Sequence, residues 1–206
     1  MTNSPLPSPL SLPAGLQNIA IAPNARIAFV TVNSPTKSVI PVDLGSDTTG
    51  NPVNLGTVAG GVAVTPDGTA AYVTNGLTNQ VTPINANTGA AEAAIAVGTR
   101  PNSVAITPDG TTAYVANTQS DSVTPIDTAT NAPGSSISVG GFPFAVAITP
   151  DDKTAYVANF DDNTVTPINT ATNAPRTPFP VGPHPDAIAV SPAGTSRTWP
   201  TSKAAR

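Results

Sequence analysis

Proline recurs in this chain at a fixed distance, and that period limits the possible folds more than any other feature. Pro66, Pro108, Pro150 and Pro192 stand 42 residues apart, and Pro23 precedes the first of them by 43. Tyr72, Tyr114 and Tyr156 keep the same step, with Phe29 in the equivalent place one insertion earlier. A unit of this length cannot bury its own apolar face and must stack on its neighbours. The units run Ala14 to Gly56, Thr57 to Gly98, Thr99 to Gly140 and Gly141 to Gly182. Residues 1–13 form a Pro-rich segment with one outer strand, and 183–206 a truncated fifth repeat and irregular basic tail.

Each unit contains four short runs rich in Val, Ile, Thr and Ala. In the third they are Ser103 to Thr107, Thr112 to Asn117, Ser122 to Asp127 and Ser136 to Val139. No helical period appears, so these runs are strands. Pro66-Asp67-Gly68, Pro108-Asp109-Gly110 and Pro150-Asp151-Asp152 lie between the first and second runs and carry the residue types of a tight hairpin turn. All other links are short, so each unit is a four-stranded antiparallel meander. Stacking such sheets around an axis gives an all-β, β-propeller-type fold of four blades plus a partial fifth. Four units predict an open arc or incomplete ring; closure by one chain, or by two chains into eight blades, is the alternative. Leu10-Ser11-Leu12 aligns with the fourth strands and is expected to form one. Pro41, Pro83, Pro125 and Pro167 fall inside every third strand, where a ladder N–H is normally needed, so this position should face a bulge or gap.

Only 10% of residues are charged and the net charge is −4, so no basic field exists for nucleic acid or an anionic membrane. With no cysteine, disulfides, thiolate metal sites and a cysteine nucleophile are excluded. Residues 1–15 lack the basic and apolar regions of a signal peptide, and no run has the ~20 apolar residues of a membrane helix.

Tyr72-Val73-Thr74-Asn75, Tyr114-Val115-Ala116-Asn117 and Tyr156-Val157-Ala158-Asn159, each just after its turn, resemble the YVTN-family β-propeller repeat. Val123 to Asp127, reading Val-Thr-Pro-Ile-Asp, is similar to the third strand of that repeat. The resemblance covers nearly the whole chain. It implies a ring of typically seven blades, an exported or cell-surface location, and relatives that include lactonase-like or cofactor-assisted enzymes. It implies no single function, because fold and activity separate readily in propellers.

The candidate ligand-binding residues fall at one predicted rim. Arg100, Phe142 and His184 occupy equivalent places in the connectors between units, and Asn75, Asn117 and Asn159 end the second strands. The asparagine amides either cap the following loop or contact a ligand. Asp121, Asp161 and Asp162 make this rim acidic, which reads either as a solvated rim or as one that favours a cation or a basic peptide. Asp67, Asp109 and Asp151 recur like a ring of metal ligands, but aspartate in such a turn is there for local hydrogen bonds. No catalytic residue, metal site or cofactor is assigned: His184 is the lone histidine, no Gly-x-Ser-x-Gly elbow occurs, and the single Glu92 falls near an outer strand.

The leading functional reading is a non-catalytic scaffold or binding module whose rim loops contact a protein, peptide or glycan. Its basis is that the units differ mainly at Gly76 to Asn79, Thr118 to Asp121 and Phe160 to Asn163. The alternatives are a lactonase-like or metal-assisted enzyme at the channel mouth, and a non-functional remnant of a longer propeller. Self-association through exposed terminal blades is a further expectation. The C-terminus predicts a reading-frame shift. A Tyr-Val-Ala-Asn strand is due at position 198, yet the chain reads Arg197-Thr198-Trp199-Pro200-Thr201. These residues can be written CGT ACG TGG CCA ACN, and starting one nucleotide before the Thr198 codon gives TAC GTG GCC AAC, Tyr-Val-Ala-Asn; only the alanine codon is forced. On that reading Ala187 to Val190 loses its hairpin partner and the tail is disordered.

Overall fold

A computed structural model describes residues 10–22, 26–191 and, without side-chain detail, 197–198. The first sheet contains β1 (Leu16–Ile21), β2 (Ile27–Val32), β3 (Ser38–Asp43), β4 (Thr48–Thr49) and β5 (Val53–Asn54). The second has β6 (Ala59–Val64), β7 (Ala70–Asn75), β8 (Gln80–Asn85) and β9 (Ile95–Ala96). The third has β10 (Pro101–Ile106), β11 (Thr112–Asn117), β12 (Ser122–Asp127), β13 (Ala132–Pro133) and β14 (Ile137–Ser138). In the fourth are β15 (Pro143–Ile148), β16 (Thr154–Asn159), β17 (Thr164–Asn169), β18 (Ala174–Pro175) and β19 (Phe179–Pro180). A two-stranded sheet follows, β20 (Ala189–Val190) with β21 (Arg197–Thr198). All pairings are antiparallel, and each sheet is a meander whose inner three strands run in chain order.

The inner strands pack in sequence, β1 on β6, β6 on β10, β10 on β15 and β15 on β20. The result is an open propeller-type arc. Its core is made at the junctions between sheets. Phe29 and Val39 of the first sheet meet Ala71, Val73 and Ile84 of the second. Tyr72, Val81 and Ile95 of the second meet Val104, Ala113, Val115 and Ile126 of the third. Tyr114, Val123 and Ile137 meet Val146, Ala155, Val157 and Ile168 in the same way. Small alanines bring the inner strands close, and each tyrosine fills the wider space behind them.

The recurring proline sits opposite a gap, as its ring requires. β12 pairs with β11 without any register shift, and Tyr114 lies across from Pro125. On the other side the outer strand is broken: β13 pairs with Ile126 and Asp127, β14 with Ser122 and Val123, and nothing in between pairs with Thr124 or Pro125. The Pro125 carbonyl still accepts from the Gly134 N–H at 2.8 Å. A Cβ at Gly134 would stand 3.1 Å from the Pro125 ring, so glycine suits this close approach.

Two expectations fail here. Leu10-Ser11-Leu12 forms no strand. Leu12 instead supplies a side chain only, packing beside Ala28, Val30, Val32, Ile40 and Val42, and Pro13 directly after it cannot donate to a ladder. The fifth unit does not lose its hairpin partner, since β20 pairs with β21, Ala189 opposite Thr198 and Val190 opposite Arg197. That is the register of Ala147 opposite Tyr156 and Ile148 opposite Ala155. Backbone pairing does not need the tyrosine side chain, and Pro200, the residue that would break the strand, comes two positions later. Pro200 and the tail at 199–206 lie outside the described residues.

The turn aspartates spend their charge locally. Asp67 accepts from the Thr65 hydroxyl at 2.5 Å and the Thr69 N–H at 3.0 Å, and Asp109 takes the Thr111 N–H at 2.9 Å. The Thr65 and Thr107 hydroxyls, then the backbone N–H groups, hold these two carboxyls below the ordinary value of 3.8, as Thr149 and Lys153 do for Asp151. A carboxyl depressed by folding stabilises the fold fully above its unfolded pKa and loses that contribution as pH falls through the folded one. Denaturant midpoints are therefore expected to fall on acidification below 3.8. Replacing Asp67, Asp109 and Asp151 together by asparagine should flatten that decline; an unchanged acid arm would refute the assignment.

Candidate functional site

The rim that carries the connectors is built by one repeated device. The residue ending each loop between the second and third strands reaches the connector entering the next sheet. Asn79 Oδ1 accepts from the Arg100 N–H at 2.9 Å, Asp121 Oδ1 from the Phe142 N–H at 2.9 Å, and Asn163 Oδ1 from the His184 N–H at 2.7 Å. Both ends of each latch are left-handed: φ is 57°, 47° and 56° at Asn79, Asp121 and Asn163, and 59°, 52° and 52° at Arg100, Phe142 and His184. Asparagine and aspartate tolerate this region; arginine, phenylalanine and histidine seldom enter it. The strain, of the order of 1 kcal/mol or more, is offset by the latch, which fixes three side chains in the same pose. Val58, at the equivalent position one unit earlier, is β-branched and stays out of the left-handed region.

A bulge then adds aromatic residues to this rim. The pairing of β15 with β16 shifts between Pro143 and Ala145, leaving Phe144 as the extra residue, and bulges re-aim a side chain. Phe142, Phe144 and Phe160 form a triad with ring centroids 5.9 to 6.3 Å apart. His184 lies on Phe160 at 4.6 Å, and its Nδ1 is 3.3 Å from the Phe160 carbonyl oxygen. All three phenylalanines are half-buried, and His184 is exposed.

Beside the triad is a concavity of about 260 Å³. Its wall includes Val58, Leu77, Arg100, Asn102, Phe142 and Phe144. Leu77 is 68% exposed, the highest among the large apolar side chains of the described residues. The Arg100 guanidinium is exposed and makes neither a hydrogen bond nor an ion pair; among the described residues the one ion pair is Lys153 with Asp151. The rim aspartates are partly committed, Asp121 to the Phe142 N–H and Asp162 Oδ2 to the Gly141 N–H at 2.7 Å. A space this size is below the ~300–1,000 Å³ of ligand pockets, so it fits one side chain rather than a whole cofactor.

Of the residues singled out from sequence, Arg100 and Phe142 line this concavity together and His184 continues its aromatic edge. Asn75, Asn117 and Asn159 do not join them. They are 0 to 2% exposed, inside the sheets, with Nδ2 donating to Thr82, Thr124 and Thr166 at 2.7, 3.0 and 2.8 Å. Leu77, Val58, Phe144 and Phe160 were missed as site residues. For Leu77 and Phe160 the signal was present: apolar residues in loops where the third unit carries Gln119 and Thr118.

No protein-family model matches the chain, and no curated protein matches it. Its fold is shared with solved β-propeller-like structures. One is Kuenenia stuttgartiensis hydrazine synthase, 25% identical with a TM-score of 0.78 over 94% of this chain and 56% of that one. Another is a functionally unknown protein from Desulfotomaculum acetoxidans DSM 771, 19% identical with a TM-score of 0.81 over 90% of this chain and 62% of the other. The chain thus spans less than two thirds of either. These likenesses establish the propeller-type fold.

Proposed function

We propose that the chain is a non-catalytic propeller module of the YVTN type that binds a peptide segment of a partner protein at the rim concavity. The observation that carries this reading is the rigid apolar surface of Val58, Leu77, Phe142 and Phe144 around the uncommitted Arg100 guanidinium. Exposed apolar groups gathered at one place mark interaction sites, and preorganised aromatic anchors dominate binding energy. Arg100 selects a carboxylate beside the apolar side chain, since its planar fork donates two parallel hydrogen bonds to such a group. Asp161, exposed next to Phe160, favours a basic group at the other end of the segment. A glycan fits less well, because aliphatic Val58 and Leu77 offer its hydroxyls no partners.

Selection from a random peptide library displayed against the chain tests the proposal. The expected result is enrichment of peptides that place a carboxylate next to a leucine, phenylalanine or tryptophan. Their affinity should drop about thirtyfold in Phe142→Ala with Phe144→Ala, corresponding to ~2 kcal/mol for lost anchors, and at least tenfold in Arg100→Ala. Peptides that bind both variants as well as the parent, or a selection that enriches none, would overturn it.

A further inference from the structure

Four of the seven large apolar side chains that are exposed among the described residues lie between positions 10 and 21: Leu10, Leu16, Ile19 and Ile21. The register of β1 shows what three of them face. Ile19 is opposite Val30, Ile21 opposite Ala28 and Leu16 opposite Val32, so all three share a sheet face with the Ala28, Val30 and Val32 cluster. In the later sheets this face receives the preceding sheet. Val104 and Val146, which hold the place of Ile19, are 8% and 7% exposed, whereas Ile19 is 62% and Ile21 55% exposed. Leu12 covers the outer part of the first sheet's face and leaves this inner edge open.

A second mark of the same junction lies in the turn between β3 and β4. Asn131 and Asn173, both at φ 57°, accept the hydroxyl of the preceding sheet's tyrosine, from Tyr72 and Tyr114, at 2.6 Å. Asp47 holds their place at φ 53°, is exposed, and has no hydrogen bond or ion pair. The inner strand of the first sheet therefore presents the receiving edge of a sheet-to-sheet junction, while Ala28, Val30 and Val32 behind it are already 0 to 3% exposed. The opposite end of the arc presents the other half. Ala189 of β20 is opposite Thr198 and exposed, while Ala63 and Ala105, which hold its place in the second and third sheets, are packed into the following junctions.

We propose that copies of this chain associate head to tail, the β1 edge of one copy packing against the β20 edge of another. The repeat itself names this occupant, because each internal junction sets the first strand of one unit beside that of the next, β6 on β10 and β10 on β15, and Ala187 to Val190 keeps that first-strand pattern. The two halves of the junction differ, so the contact is heterologous, and whether it closes into a ring depends only on the rotation it imposes.

Light scattering coupled to size exclusion tests this on the full chain. The wild type is expected to exceed 20.5 kDa, with a mass that rises with concentration. Ile19→Lys with Ile21→Lys should give a 20.5 kDa species, as should Ala189→Arg. All three positions are exposed, so circular dichroism should be unchanged. Mixing the two variants is decisive: each retains the end the other has lost, so the mixture should form one species of about 41 kDa, twice 20.5 kDa, and nothing larger. A wild type that stays at 20.5 kDa, assembly that survives the lysine variant, or a mixture that stays monomeric would each overturn the proposal.

Discussion

Tyr114→Ala is expected to cost about 3–5 kcal/mol of stability, a large share of the ~5–15 kcal/mol that holds a domain of this kind together. The ring is fully buried between the third and fourth sheets, where Ala155 and Val157 pack against it. Its hydroxyl donates to Asn173 Oδ1 at 2.6 Å and lies 3.2 Å from the Thr170 carbonyl. Tyr114→Phe keeps the ring, and Asn173 is exposed, so water can replace the lost donor and the loss should stay near ~1 kcal/mol. The chain has run this substitution itself: the first sheet carries Phe29, and the turn it faces carries Gly89, at φ 68°, in place of asparagine. Burial, and then the charge of Asp109, pushes the Tyr114 hydroxyl up to about 12; burial, then Glu92 and Asp127, does the same for Tyr72. A tyrosine whose pKa is raised by folding stabilises fully below its unfolded value of 10.0 and loses that contribution as pH climbs towards 12. Stability should therefore decline on alkalinisation above 10.0 through Tyr72 and Tyr114, and Tyr114→Phe should remove one of these two shares. Denaturant titrations across that range measure both effects, and equal losses for the alanine and phenylalanine variants would refute the packing argument.

The period was legible because proline and tyrosine mark backbone positions that admit few substitutes. Pro-Asp-Gly turns, the paired second and third strands, and the gap opposite Pro125 all follow from local chemistry that a sequence displays. The latches were not legible in the same way. Asn79 and Arg100 lie far apart in the sequence, and only the stacking of one sheet on the next brings that carbonyl oxygen to that N–H. The aromatic triad escaped for a related reason: Phe144 reads as a strand residue, and its place at the rim comes from a bulge at a single position. Leu12 shows the opposite error. Its alignment with the outer strands was real, since it packs where a side chain from a preceding unit would, but the ladder assigned to it does not form.

The buried asparagines offer the last test, because the same chain solves their position in two ways. Asn117 is fully buried; its Nδ2 donates to Thr124 at 3.0 Å and to Ser122 at 3.3 Å, while its Oδ1 has no partner. Gly98 presses against it, since a Cβ there would lie 2.7 Å from the amide, so the side chain has no room to turn and find one. A buried acceptor left unpaired costs about 1–3 kcal/mol. In the first sheet the two positions are Val32 and Ile40, 0% and 3% exposed and packed in an apolar cluster. Asn117→Val alone removes the orphaned oxygen but strands the Thr124 hydroxyl, so it should lie within ~1 kcal/mol of the parent. Thr124→Ile alone takes a partner from the amide and crowds it, and should cost about 1–3 kcal/mol. Together the two changes recreate the Val32 and Ile40 pair, and the double variant should be at least as stable as the parent, a favourable coupling of ~1 kcal/mol or more. A double variant less stable than either single would mean that the oxygen is satisfied, by a buried water for example. Peptide affinity at the rim should be unchanged throughout, because the amide stabilises the sheet and does not line the Arg100 concavity; a tenfold loss in the stable double variant would return Asn117 to the binding site.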